Sequence, residues 1–165
     1  MIHALARVLV AASLGAVAGA CGPRVQGPDT GTLQAVALPD LSLAAESVRT
    51  QLHERHAALD RMRNAGGTPA PDLAAAYGDL GVLLMATAFP DQAEPSLLNA
   101  QRLAPQDPQW PFYLGHLYLA MERRDPAAAA FARAAALDPQ DHAARVWLGE
   151  AHLDAGRAAD AEAAF

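Results

Sequence analysis

The sequence predicts an all-α fold, an α-α superhelix of about three helix-turn-helix repeats preceded by one non-repeat amphipathic helix. Three observations carry that prediction. Leu80-Gly81, Leu114-Gly115 and Leu148-Gly149 recur at an interval of 34 residues. Ala93, Ala127 and Ala161 keep the same interval, as do Ala100 and Ala134, Pro105 and Pro139, and Phe131 and Phe165. Hydrophobic residues make up 52% of the chain and many are alanine, which suits tightly packed helices rather than a disordered chain. A fixed period of this length marks stacked supersecondary units, none of which can bury its apolar face alone.

The elements follow in chain order. Residues 1–20 read as a signal peptide: Arg7 supplies a positive charge and Val8 to Ala20 form an uncharged apolar run. That run is too short to span a bilayer, which takes about 20 residues. Ala18-Gly19-Ala20-Cys21 resembles a bacterial lipobox, and the resemblance implies lipidation of Cys21, the sole cysteine of the chain. Gly22, where an Asp would favour retention at the inner membrane, then implies an outer-membrane anchor facing the periplasm. Ordinary cleavage after Ala20, giving a soluble secreted or periplasmic protein, is the alternative. Residues 21–40 carry Gly22, Pro23, Gly27, Pro28, Gly31 and Pro39 and read as a flexible tether. A helix over 41–65 opens near Asp40 and stops at Asn64-Ala65-Gly66-Gly67. Leu41, Ala45, Val48, Leu52, Leu59 and Met62 lie on one of its faces, as a helix capping the first repeat requires.

Three units then run over 74–107, 108–141 and 142–165, the last incomplete. Helices are expected at about 73–87, 91–103, 109–122, 126–137, 142–154 and 159–165. Asp107, Asp141 and the Asp125-Pro126 pair supply caps and first-turn prolines, and Gly156 falls in the turn of the third unit. Glycine inside a helix costs about 1 kcal/mol relative to alanine. Three in register therefore predict a close approach of two helices, with Ala93, Ala127 and Ala161 facing Gly81, Gly115 and Gly149. Phe165 ends the chain at the aromatic column of the third unit, so a truncated frame or the first part of a longer array is expected.

The order L-G-x2-Y, A-x3-F, P resembles the tetratricopeptide repeat family in its bacterial secreted or lipoprotein form. The middle unit matches best, through Leu114, Gly115, Tyr118, Ala127, Phe131, Ala134 and Pro139. Leu84 and Leu97 replace aromatics in the first unit, and His152 stands at the Tyr position of the third. The early Trp of the family is absent from its column, which holds Tyr77, Pro111 and Arg145; Trp110 and Trp147 lie one residue before and two after it.

The net charge is −6, and every basic residue is an arginine. These are scattered apart from Arg61-x-Arg63 and Arg123-Arg124, so no track for nucleic acid exists. No nucleophile elbow, phosphate-cradling loop or C-x-x-C occurs, and none of Ser13, Ser42, Ser47 and Ser96 has a nucleophile's setting. No catalytic residue and no cofactor is expected. His53 and His56 share a helix face at i, i+3, and Asp60 is within reach. The set falls short of a metal site, so a solvated helix face is the reading and no metal is expected.

What remains is a surface. The family resemblance implies that positions on each first helix line a concave groove: Gly78, Val82 and Met85, then Phe112, His116 and Leu119, then Val146, Glu150 and Leu153. The set lacks the Lys, Arg and Asn that clamp a terminal carboxylate in the family. Its apolar character suggests a peptide or helix held by burial, with cover by the chain's own helices as the competing arrangement. The function expected is a non-catalytic protein–protein interaction scaffold of the bacterial cell envelope, with no nucleic-acid partner and membrane contact only through Cys21. Two alternatives are an envelope assembly lipoprotein, pilotin-like or of outer-membrane assembly type, and the helical adaptor part of a longer enzyme.

Overall fold

The computed structural model describes residues 33–165. The leader, Cys21 and most of the expected tether lie outside the described residues. Seven helices follow an extended lead-in: α1 (Glu46–Asn64), α2 (Ala70–Ala86), α3 (Pro90–Leu103), α4 (Gln109–Ala120), α5 (Arg124–Leu137), α6 (His142–Asp154) and α7 (Ala158–Ala164). No strand occurs among the described residues. Helices α2 and α3, α4 and α5, and α6 and α7 form three hairpins stacked in sequence order, so the fold is an α-α superhelix.

Each hairpin turns on the same device. Ala88, Glu122 and Gly156, spaced by the repeat, adopt φ of +63°, +57° and +73°. In the first hairpin the Phe89 amide donates to the Leu84 carbonyl and the Ala88 amide to that of Met85. The second and third repeat this with Arg123 to Tyr118 and Glu122 to Leu119, then Arg157 to His152 and Gly156 to Leu153. This paired arrangement satisfies carbonyls that a helix end leaves open. Between hairpins, the side chain of Asp141 accepts from the Ala143 amide at 2.8 Å, and that of Asp107 accepts from Gln109 at 2.9 Å. Asp125, expected as a cap, lies inside the first turn of α5, where it pairs with Arg157.

The register glycines sit where two helices meet, but their partner differs from the expected alanine. A Cβ on Gly81 would lie 2.8 Å from Leu97 Cγ, and one on Gly115 would lie 2.6 Å from the Phe131 ring. One on Gly149 would overlap Phe165. Each glycine is thus the seat of the residue at the aromatic column sixteen positions on. Ala93, Ala127 and Ala161 are fully buried, but none is the nearest neighbour of its glycine.

The first of the described residues depart most from expectation. Helix α1 begins at Glu46, because the Asp40 carboxylate accepts the Ser42 amide at 2.9 Å and closes a turn there. That bond holds the Asp40 carboxyl below the ordinary carboxylate range. Residues 33–40, assigned to the flexible tether, instead form an extended strap docked on the bundle. Val36 is buried, and the Asn99 side-chain amide pairs with both the amide and the carbonyl of Gln34 at 2.8 Å. Across the strap, α1 packs on α2 through Leu52 and Leu59, both fully buried. Helix α1 and the strap together cover the first hairpin, one over α2 and the other over α3.

Candidate partner-binding groove

The first helices α2, α4 and α6 hold the expected groove positions, and the structure divides them into three grades. Gly78 is buried, and the Trp110 ring of α4 occupies the space a Cβ would need. Gly78 therefore lies under the next repeat and is removed from the groove. Val82 and Met85 are half-buried, as are Phe112, His116 and Leu119. Val146 and Leu153 are each 47% exposed, and Glu150 is exposed with them. Burial falls along the stack because α4 lies partly over α2 and Trp147 of α6 lies on α4, while no first helix follows α6 among the described residues.

Phe112 and His116 belong to an aromatic cluster that bridges the second and third repeats. The His116 ring lies edge-on to Phe112 at 4.7 Å, to Phe131 at 5.1 Å and to Trp147 at 4.5 Å between centroids. Phe131 and Trp147 stack at 6.2 Å with an angle of 20°. Burial among these rings lowers the His116 pKa from its ordinary 6.5, so the imidazole is neutral at pH 7. Sequence reading missed Trp147 because it stands off the family's Trp column; its closeness to the α6 groove positions was the available signal.

At the other end of the groove, Arg55 of α1 pairs with Asp79 of α2 at 3.4 Å. A cleft of about 220 Å³ lies beside this pair, lined by Val82, Leu83, Ala86 and Tyr113. A separate open cleft of about 630 Å³ lies where α1 begins, among Leu43, Val48, Ala88 and Phe89, and none of the groove residues lines it. Leu43, almost completely exposed, forms its rim.

The His53-x-x-His56 pair is accounted for by structure. His56 Nε2 lies 3.0 Å from the Val36 carbonyl and Nδ1 lies 3.3 Å from Asp60, so both nitrogens of the ring hold the strap or its own helix. His53 is exposed. Among the described residues no group of three or more His, Cys, Asp and Glu is placed to hold a metal ion. No helix among them is long and apolar enough to cross a membrane. The arrangement offers partial burial, edge-on aromatic contact and one exposed carboxylate, that of Glu150.

No protein-family model matches the chain, and no curated protein is measurably similar to it. Solved structures are similar in fold. The chain is 20% identical to a structure described as MamA MSR-1 C2, with a TM-score of 0.60 over 73% of this chain and 64% of that one. BtubC (BKLC) from P. vanneervenii gives 20% identity and a TM-score of 0.61 over 72% of this chain and 54% of that one. A further MamA structure gives 21% identity and a TM-score of 0.57 over 72% and 65%. The chain thus spans less than two thirds of the length of each. At such identities the likeness is one of fold, and that fold is the tetratricopeptide-like helical superhelix.

Proposed function

We propose that this chain is a non-catalytic scaffold whose first-helix face binds a peptide or helix of another protein. The observation that carries the reading is the strip Phe112, His116, Leu119, Val146 and Leu153. It runs across two repeats and stays half-buried to exposed although the core beneath it is closed. Apolar surface left open next to a rigid aromatic cluster is the kind of preorganised site that protein partners use. The side chains are held by packing that does not depend on the partner, so binding does not have to order them. The sequence of the leader and of Ala18-Gly19-Ala20-Cys21 supports a place in the bacterial envelope, with lipidated Cys21 anchoring the chain to the outer membrane.

A photo-crosslinking amino acid placed at Leu153 and, separately, at exposed His53 tests the reading in cells. Discrete protein adducts from position 153 that are absent from position 53 are expected. Equal labelling from both positions, or adducts that persist after Phe112→Asp in a chain of unchanged helicity, would remove the groove from consideration.

A further inference from the structure

We propose that the channel between α1 and α3 is a second binding site, taking an extended segment of another protein, and that residues 33–40 are its built-in competitor. The site lies apart from the groove. Its polar residues, His56 and Asn99, stand on α1 and α3, whereas the groove positions stand on α2, α4 and α6. The segment it takes carries an aliphatic side chain two residues after the one whose backbone meets Asn99.

The strap itself shows what the channel recognises. The Asn99 side chain, 1% exposed, accepts the Gln34 amide and donates to the Gln34 carbonyl, both at 2.8 Å. His56 Nε2 lies 3.0 Å from the Val36 carbonyl. All three contacts are to backbone, which any extended peptide offers where it lacks proline. Of residues 33–40 only Val36 is buried, while Gln34, Ala35 and Ala37 are exposed. Recognition therefore asks for extended backbone and one aliphatic side chain, a demand that segments other than the strap can meet. Asn99 also departs from the repeat. Its counterpart Arg133 is exposed and donates to the Pro105 carbonyl at 3.1 Å, with no extended segment between them. The hold in cis is loose. The strap turns towards α1 through one exposed bond, from the Ser42 amide to Asp40 at 2.9 Å, and α1 opens without a side-chain cap. A competitor joined in this way acts at an effective concentration of about millimolar, and a segment that binds more tightly than that displaces it.

The test uses the full chain with its strap opened by Gln34→Pro and Val36→Asp. These remove the amide that Asn99 accepts and put a charge in an apolar seat, and they leave the channel residues untouched. Hydrogen exchange should accelerate across 33–41 while α2 and α3 stay protected. A fluorescein-labelled peptide of residues 33–41, followed by anisotropy, should bind the opened chain at least about tenfold more tightly than the parent, in which the strap competes. Val36→Asp within the peptide should abolish binding, and Ser at its Gln34, Ala35 and Ala37 positions should leave binding unchanged. Asn99→Ala in the opened chain should weaken the peptide about tenfold, as two lost hydrogen bonds would, whereas Phe112→Asp should have no effect. Equal affinity for parent and opened chains, failure of a still helical opened chain to bind, indifference to Asn99→Ala, or sensitivity to the Ser replacements would each overturn the inference. So would persistent protection of 33–41 in the opened chain. Loss of protection in α2 and α3 along with the strap would make the strap part of the fold and overturn it as well. A parent that sediments as a dimer where the opened chain is a monomer would assign the channel to the strap of a second copy instead. Crosslinks from position 153 report on the groove alone, so the two readings fail separately.

Discussion

Replacing Ala88 and Glu122 by glycine should raise stability, although glycine is ordinarily the costliest non-proline residue near a helix. Both hold the left-handed turn that Gly156 holds in the third hairpin, at φ of +63° and +57°. An L residue in that region costs about 1–2 kcal/mol. Glycine removes this cost but adds about 0.4–1 kcal/mol of unfolded-state freedom that folding must overcome. Both side chains are exposed; Ala88 contributes only a methyl to the rim of a cleft, and Glu122 is not ion-paired among the described residues. The net gain is then about 0.5–1 kcal/mol per site. For a chain of this length about 1 kcal/mol moves Tm by 2–4 °C, so the double variant should melt about 2–8 °C higher by circular dichroism at 222 nm. Two controls fix the sign. Gly156→Ala should lower Tm by a similar amount, and Ala75→Gly, exposed inside the regular part of α2, should lower it by the helix penalty of about 1 kcal/mol. If Ala88→Gly and Glu122→Gly melted at or below the parent while Ala75→Gly fell as stated, the turn would not be strained and the reasoning would fail.

Gly115→Leu should overpack the contact with Phe131 and cost about 1–3 kcal/mol or more, read as a lower Tm; an unchanged melt would mean that α4 and α5 do not meet there. Asn99→Ala should remove both hydrogen bonds to Gln34 at a cost of about 1–3 kcal/mol, and hydrogen exchange should accelerate across 33–41 before it does elsewhere. His116→Phe should flatten the acid side of the stability curve. Because the folded pKa lies below 6.5, the parent's stability from this group is complete above that value and is lost as pH falls through the folded pKa. Melting both proteins from pH 8 to pH 4 checks this, and parallel curves would place His116 outside the aromatic cluster. Cys21→Ser should abolish incorporation of an alkyne-tagged fatty acid, whereas persistent labelling would place any lipid elsewhere.

The periodic part of this fold was legible because a repeat states the same physical requirement several times. One Leu-Gly pair means little, but three in phase with alanine and proline columns placed six helices within a few residues of where they lie. Periodicity says which residues share a face of one helix. It does not give the rotation of that helix against its neighbour. Gly115 was therefore matched to Ala127, when the ring that needs the space is Phe131. The turn was half legible for a related reason. Gly156 announced itself by its residue type, while Ala88 and Glu122 concealed the same conformation behind ordinary side chains, and only the 34-residue register links the three.

The features that set the groove's limits were the least legible because they are not periodic. An extended strap has no hydrophobic rhythm, and its docking rests on buried Val36, on the His56 ring nitrogen at the Val36 carbonyl and on the amide of Asn99, which in sequence resembles any polar residue of a second helix. In the next repeat that register holds Arg133, which is exposed and donates to the Pro105 carbonyl. The exception therefore serves the one hairpin that has no preceding repeat to cover it. The aromatic cluster follows the same logic. Trp110 and Trp147 stand off the Trp column, and each inserts into the repeat before it, one over Gly78 and the other against His116. Departures from the repeat thus fall where one unit meets something other than an identical neighbour. A register that fixes the helices leaves those positions free, and at the first hairpin this sequence uses them to dock its own strap, while between repeats it uses them to seat Trp110 and Trp147.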